Sequence, residues 1–471
     1  MKQKSLTEEA SPPRVAFVTL GCPKNQVDSE VMLGRLHQAG FVTTHDLSLA
    51  DVAIVNTCAF LQAAVEEGLE TIIDVARLKE ANLKGLVVTG CMSQRYSGQL
   101  LDEVPEIDAI VGTGAVDEIV EVCRNVLSDK GLRASLVGDP NKSYLDPSVR
   151  VLSTPRWSPY LQISQGCSNT CTFCIIPKLR GPGRSRTLDE VMIEARTLVA
   201  SGAREIVVIG QDTTAWGLDS EGRALLGAMY RRMDELEEDG LKWVRVMYTN
   251  PLFWDEALVD AFASARTACA YIDMPIQHSV TRVLARMGRG YTREHCSWLV
   301  RRLREARPNV ALRTSIIVGF PGETDDDFQA TLDFLEEARF DRLVAFPYFP
   351  EDGTAAFKLD GRIPDDVQQR RVATLLDFQS RISREKNRSM VGQTLDVLID
   401  RPGTAIEAAI GRSHREAPEI DGVIRVTGKA GHPGEFTRVR ITGANAFDLT
   451  GVAVPDRTRT PREGAPIAAS K

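Results

Sequence analysis

Three thiols lie within eight residues in Cys167-Ser-Asn-Thr-Cys171-Thr-Phe-Cys174, with three residues in the first gap and two in the second. A loop of that length can wrap three sulfurs around one corner of a cubane. Soft thiolates suit iron–sulfur clusters or zinc. A structural zinc wants a fourth ligand, and no His or Cys lies close by; the next cysteine is Cys269. Three thiolates on a four-iron cluster leave one iron open to a small molecule. The competing readings are a zinc loop and three unrelated buried cysteines, and the spacing favours the cluster.

Three further cysteines share a different pattern. Arg14-Val-Ala-Phe-Val-Thr-Leu-Gly-Cys22, Asp51-Val-Ala-Ile-Val-Asn-Thr-Cys58 and Lys84-Gly-Leu-Val-Val-Thr-Gly-Cys91 are short apolar runs that each end on a cysteine. The cysteines stand 36 and 33 residues apart, about one strand-plus-helix unit each. Helical patterns at 28–39 and 61–79 fill the intervals. Near-continuous apolar strands separated by helices predict a parallel, doubly wound sheet. Sites in such sheets form outside the carboxyl ends of the strands. Three cysteines at three consecutive carboxyl ends therefore converge on a second trio. Singly, each would pass for a small buried hydrophobe; the repeated placement is what marks a site. Cys123 falls within the helical pattern 117–127 and reads as core. Asn25 and Asn56 stand beside the cysteines, where they could orient the thiols or simply form turns.

The elements around the first trio alternate. Strand-like runs at 160–164, 205–210, 243–248, 271–274, 311–318 and 342–346 are separated by helical patterns at 188–200, 225–238, 256–266, 293–306 and 325–338. Six such units predict a partial (β/α)6 barrel with its site at the carboxyl ends of the strands. The Cys167–Cys174 loop follows the first strand, at that end. The second strand runs into Gly210-Gln211-Asp212-Thr213-Thr214 and the fourth into Pro275-Ile-Gln277-His278-Ser279. The fifth ends in Gly319-Phe-Pro-Gly322-Glu323-Thr324, a turn before a helix whose N-terminus could face a ligand. Turn chemistry explains each of these equally well, and His278 is as readily structural as catalytic. Cys269 and Cys296 are placed in or beside helices as packing residues.

The last part changes period. Five short alternating runs between 395 and 454 predict a small five-stranded antiparallel β-barrel of the oligonucleotide-binding type. Residues 392–457 carry nine acids and eight bases, a balance poor for gripping phosphates and better for a basic protein. The expected divisions are 14–125 for the N-terminal sheet, 126–155 for a Pro- and Gly-bearing linker with one short strand near 134–137, 156–390 for the barrel, and 392–460 for the β-barrel. A tail after Arg459 is expected to be disordered.

Composition narrows the class. The 471 residues are 43% hydrophobic and 26% charged, with a formal net charge of −7, as in ordinary soluble globular proteins. That charge argues against a broad nucleic-acid surface. No apolar run approaches the roughly 18 residues of a membrane span, and Met1–Pro13 is polar, so neither membrane insertion nor secretion is expected and the location read is cytoplasmic. Nine cysteines in such a chain indicate metal or redox chemistry rather than a disulfide framework.

Taken together, the Cys-x3-Cys-x2-Cys spacing with Phe173 before its last cysteine, the second trio, the partial barrel and the terminal β-barrel resemble the radical S-adenosylmethionine (SAM) methylthiotransferases over about residues 14–457. Gly210–Thr214, Met274–Ser279 and Arg412–Gly422 are similar to the branch that modifies a ribosomal protein. One departure is Phe349, where serine is commoner. The resemblance implies β-methylthiolation of an aspartate in ribosomal small-subunit protein twelve. It implies two 4Fe–4S clusters, one at Cys167, Cys171 and Cys174 that reductively cleaves SAM, and one at Cys22, Cys58 and Cys91 that carries sulfur. It further implies SAM contacts from Phe173, Gly210, Gln211, Gln277 and Gly319, a flavodoxin- or ferredoxin-type electron donor, a terminal barrel of the TRAM type, and a monomer. The rival readings are methylthiolation of an adenosine in transfer RNA and a plain iron–sulfur electron carrier or scaffold.

Overall fold

A computed structural model describes residues 11–128, 133–141 and 149–455. The tail expected after Arg459, and residues 456–460 of the last division, lie outside the described residues. The N-terminal part runs β1 (Arg14–Thr19), α1 (Pro23–Gln38), β2 (Val42–Thr43), β3 (Val52–Thr57), α2 (Gln62–Ala76), β4 (Gly85–Gly90), α3 (Cys91–Glu103), β5 (Ala109–Val111), α4 (Ile119–Leu127) and β6 (Ala134–Leu136). The strands form one all-parallel sheet in the order β2-β1-β3-β4-β5-β6. Its two faces hold separate cores. Ala53, Val55, Leu86 and Val88 pack with Ile72 and Val75 of α2. Val52, Ile54 and Val87 pack with Val31 and Leu36 of α1 and with Ile119, Val122 and Cys123 of α4. Burial on both faces is why β3 and β4 read as unbroken apolar runs. The strand order reverses between β1 and β3, and a doubly wound sheet opens its crevice at such a switch point.

The stretch read as a linker supplies β6 and then ties the sheet to the barrel. Arg150, nearly buried, pairs with Glu30 of α1 and Glu194, while the Ser153 and Thr154 amides donate to Glu30 at 2.8 and 3.1 Å.

The barrel follows: β7 (Tyr160–Gln162), β8 (Ser164–Gln165), α5 (Ile176–Arg180), β9 (Arg184–Ser185), α6 (Leu188–Ala200), β10 (Glu205–Ile209), α7 (Leu218–Glu221), α8 (Leu226–Met233), β11 (Trp243–Val246), α9 (Glu256–Ser264), β12 (Ala268–Asp273), α10 (Thr281–Arg286), α11 (Arg293–Ala306), β13 (Ala311–Val318), α12 (Asp325–Ala338) and β14 (Arg342–Pro347). Six parallel strands run in the order β7-β10-β11-β12-β13-β14. The arc is open between β7 and β14, so it is a partial barrel. Thr187 caps α6 through a capping box with Glu190. Cys269 lies in β12, not in or beside a helix; the strand starts earlier than Tyr271 because its opening Ala-Cys-Ala lacks the β-branched residues by which strands are recognised.

Helix α13 (Asp365–Arg388) leads to β15 (Thr394–Arg401), β16 (Ala409–Arg412), β17 (Ile424–Thr427), β18 (Phe436–Ala444) and β19 (Leu449–Ala453), a closed barrel in the order β15-β16-β17-β19-β18. Four of its pairings are antiparallel, but β17 and β19 pair in parallel, because β18 intervenes in the chain and lies on the far side of β19. Among the described residues no helix is long and apolar enough to cross a membrane.

The segment from Arg412 to Asp421 plugs the amino-terminal end of the partial barrel. Every strand of the arc contributes at least one polar contact. The Tyr160 hydroxyl donates to Glu419, 3.3 Å. Glu205 pairs with Arg412, 2.7 Å. Arg245 donates to the His414 carbonyl, 2.8 Å. The Tyr271 hydroxyl donates to Asp421, 2.7 Å. Arg313 faces Asp421 and Arg342 faces Glu416, at 3.6 and 3.4 Å. Most of these groups are buried, so each depends on its partner. Burial raises the Glu205 carboxyl, but Arg412 and Arg245 outweigh it and hold it down at about 2. Its contribution to stability is therefore complete above the ordinary glutamate value and is lost as pH falls toward 2. Glu205→Gln is expected to destabilise the protein at neutral pH by about 3 kcal/mol, with the gap to wild type narrowing in denaturant titrations as pH drops from about 4.5 to 2.

Candidate functional site

The three N-terminal cysteines meet at the switch point. Cys22 is the residue before α1, Cys58 follows β3, and Cys91 opens α3 directly after β4. Glycines permit the approach. Gly21 has φ 92°, and a Cβ there would lie 2.7 Å from the Cys58 Cβ. Gly90 has φ 98°, and a Cβ there would sit 2.3 Å from the Asn56 side chain. Asn25 fixes the group: its Nδ2 donates to the Leu20 and Thr57 carbonyls at 3.0 and 2.9 Å, and its Oδ1 is 4.0 Å from both the Cys22 and the Cys91 Sγ. Asn56 holds α1 in turn, donating to the Asn25 carbonyl at 2.9 Å. Asn25 thus reaches two of the thiols directly, and Asn56 acts on them only through α1.

Arg180, at the end of α5, reaches this trio from the barrel. It is 1% exposed. It pairs with Asp28 at 2.8 Å, donates to Asn25 Oδ1 at 2.6 Å and directs Nε at the Cys91 Sγ, 3.4 Å. Burial alone would raise all three thiols. It pushes Cys58 up to about 11 and raises Cys91 despite Arg180. At Cys22 burial is outweighed by Lys24 and Arg180, and that thiol is held below its ordinary value.

The second trio is held by the barrel mouth. The Thr172 amide donates to the Met287 carbonyl at 2.9 Å, and the Cys167 amide to that of Gly181 at 3.1 Å. Gly288, φ 71°, lets the chain pass within 2.4 Å, Cβ to oxygen, of the Thr170 carbonyl. Arg289 donates to the Cys171 Sγ at 3.1 Å and is itself anchored on Asn250 and the Pro275 carbonyl. Burial pushes Cys167 and Cys174 up to about 11 and 12. None of the six cysteines is in a disulfide. Among the described residues no three His, Cys, Asp or Glu side chains could share a single metal ion; ligands to separate irons of a cubane stand further apart than that. The donor chemistry of both trios fits such clusters: three free thiols, and beside each a guanidinium, buried at Arg180 and half-buried at Arg289, that can offset a thiolate-bound cluster's negative charge.

The residues expected to touch SAM have mixed fates. Phe173 packs against Val283, Met287, Phe320, Tyr348 and Ala356, which braces the loop. Gly210 lets the end of β10 approach Ser164, whose Oγ would be 2.7 Å from an added Cβ. Gln211 has both amide atoms buried and without a protein partner, as a ligand-binding amide would. Asp212 is committed to the scaffold: it accepts from Asn169 of the cysteine loop at 2.6 Å, from Asn250, and from the Thr214 amide and hydroxyl. Gln277 sits at φ 66°, bridged to Ile316, and strain of that kind gathers at functional sites. Gly319 has φ 73°, but its N–H is taken by Glu323 at 2.8 Å, leaving only its carbonyl for a ligand. The N-terminus of α12 closes on itself through a Thr324–Asp327 capping box, so it offers no anion site. His278 is 1% exposed and accepts from the Val280 amide, a structural role.

Sequence reasoning missed Arg180, Arg289 and Lys24, because single basic residues in loops and first turns carry no periodic signal. The adjacency of Lys24 to Cys22 and Asn25 was the one available cue.

Residues 14–112 match the uncharacterized protein family UPF0004, 161–335 the radical SAM superfamily and 391–454 the TRAM domain. A methyltransferase of the radical SAM class, TsrM from Kitasatospora setae, has a similar fold, with TM-score 0.56 and 18% identity over 73% of this chain and 77% of that one. The ribosomal protein uS12 methylthiotransferase RimO of Pelotomaculum thermopropionicum is 42% identical over 94% of this chain and 99% of its own. Its namesake from an Anaeromyxobacter species is 44% identical over 95% of each chain. With identity of that order along nearly the whole of both sequences, the chain belongs to the ribosomal protein uS12 methylthiotransferase family of radical SAM enzymes.

Proposed function

We propose that this transferase attaches a methylthio group to the β-carbon of an aspartate in ribosomal protein uS12, with Cys167, Cys171 and Cys174 holding one 4Fe–4S cluster and Cys22, Cys58 and Cys91 the other. The observation that carries the reading is the reach of Arg180. It stands six residues beyond Cys174 and touches Cys91, so the segment that carries one trio leads directly to the other. When bound, SAM and the clusters supply hydrogen abstraction from an unactivated C–H and a methylthio group. The protein's own residues do the rest. Arg289 and Arg180 balance charge at the thiolates, Gln211 and Gln277 face the cofactor pocket, and the barrel holds the reacting partners in register while limiting water. The enzyme works in the cytoplasm as a monomer, taking electrons from a flavodoxin- or ferredoxin-type donor.

Cys171→Ala is expected to abolish formation of 5′-deoxyadenosine, followed chromatographically. Cys58→Ala is expected to retain that product while mass spectrometry finds no methylthio group on uS12. A Cys58→Ala protein that still transferred sulfur would refute the division of labour. Arg180→Met leaves Asp28 buried without its cation. Iron per chain, measured after anaerobic reconstitution, is expected to fall from about eight to about four, the remainder belonging to the Cys167 trio.

A further inference from the structure

A lysine with no carboxylate partner stands two residues beyond Cys22, beside the N-terminal trio. Lys24, in the first turn of α1, is 7% exposed. Its Nζ lies over the ring of Tyr248, 3.3 Å from the centroid. Tyr248 follows the end of β11, so this contact spans the gap from the N-terminal sheet to the carboxyl edge of the barrel. Among the described residues no carboxylate stands within ion-pair distance of Nζ. The neighbouring cations are all engaged. Arg180 is paired with Asp28, Arg289 is bonded to Cys171 and Asn250, and Arg313 is paired with Asp273 at 2.7 Å. Both oxygens of Asp273 are engaged, the second accepting from the Tyr248 amide at 2.9 Å.

Beyond the Tyr248 ring, the negative groups that act on Lys24 are Cys22, Cys91 and Asp273, the thiols being taken by a cluster in the reading above and Asp273 by Arg313, and a buried ammonium so placed is costly unless something else completes it. The reading of the enzyme above, on which this inference rests, brings an aspartate into the same gap. Its carboxylate must leave water and would be equally costly unpaired. The carboxyl carbon is one bond from the β-carbon that reacts, so whatever grips the carboxylate also places that carbon beside Cys22. We propose that Lys24 binds the carboxylate of the acceptor aspartate and so selects aspartate over asparagine.

The test measures equilibrium binding of recombinant uS12, and of a uS12 form with the acceptor aspartate changed to asparagine, to the cluster-loaded enzyme. Wild type is expected to bind the aspartate form ~30-fold or more tightly than the asparagine form. Lys24→Gln is expected to erase that preference with about eight irons per chain retained, and Lys24→Arg to restore part of it. Equal wild-type affinity for the two forms would overturn the proposal, whatever the variants do. So would a Lys24→Gln enzyme that keeps the preference, or one that loses the iron of the Cys22 trio, since the lysine would then serve the cluster. A wild-type enzyme that binds neither form would refute instead the assignment of uS12 as substrate.

Discussion

One buried guanidinium fixes the relation between the two halves of the site. Arg180 grows out of the cysteine loop of the barrel, yet its partners Asp28, Asn25 and Cys91 all belong to the N-terminal sheet. Removing such a group from water costs several kcal/mol, and only a complete set of partners offsets it. The two parts therefore cannot slide apart by even a side-chain length without stranding a charge. Arg150 does the same on another flank, where it joins Glu30 to Glu194. Arg95 of α3, paired with Glu351 after β14, closes a third. Three charged ties are what a site built from two folds needs, because neither fold alone contains both trios.

The barrel spends its two ends differently. Its amino-terminal end is plugged by the segment between β16 and β17, with at least one contact from every strand, so the terminal barrel is bolted to the scaffold. From that plug a line of charges runs up the lumen: Asp421 to Arg313, Arg313 to Asp273, and Asp273 to the Tyr248 amide. The carboxyl end stays free for the cysteine loop and the open amide of Gln211. This follows the usual division of a βα barrel into a stabilising and a reactive face.

Much of this was legible in the sequence, for physical reasons that can be named. Strands buried on both faces, such as β3 and β4, announce themselves as apolar runs, and a cysteine just past each marks the carboxyl edge. The Cys-x3-Cys-x2-Cys loop is local, so its spacing alone conveys its geometry. The helix capped by Thr187 was legible because the capping box is a four-residue signal. The plug was not. Arg412–Gly422 is similar to one branch of a family, but its role depends on partners as far as 259 residues away, as Tyr160 is from Glu419. Ala-Cys-Ala at the start of β12 has no strand signature. Arg180, Arg289 and Lys24 act across the fold, and apart from the adjacency of Lys24 to Cys22 nothing in their own neighbourhoods distinguishes them from surface charge.

Tyr248 shows how tightly the gap is set. A tyrosine at φ 59° occupies the left-handed region at a cost on the order of 1–3 kcal/mol. It is held there from both sides: its amide donates to Asp273, and its carbonyl accepts from the Thr213 amide at 3.1 Å and hydroxyl at 3.3 Å. A relaxed backbone would swing the ring away from Lys24 and widen the space between the sheet and the barrel. Taking hydrogen from an unactivated carbon and delivering sulfur to the same carbon leaves little tolerance, since an error of about 1 Å in placement can cost a hundredfold in rate. The strain, the engaged Asp273 beneath it and the charged ties around the rim all act against that error, so the precision of the site is a property of the assembled scaffold more than of any residue that touches substrate.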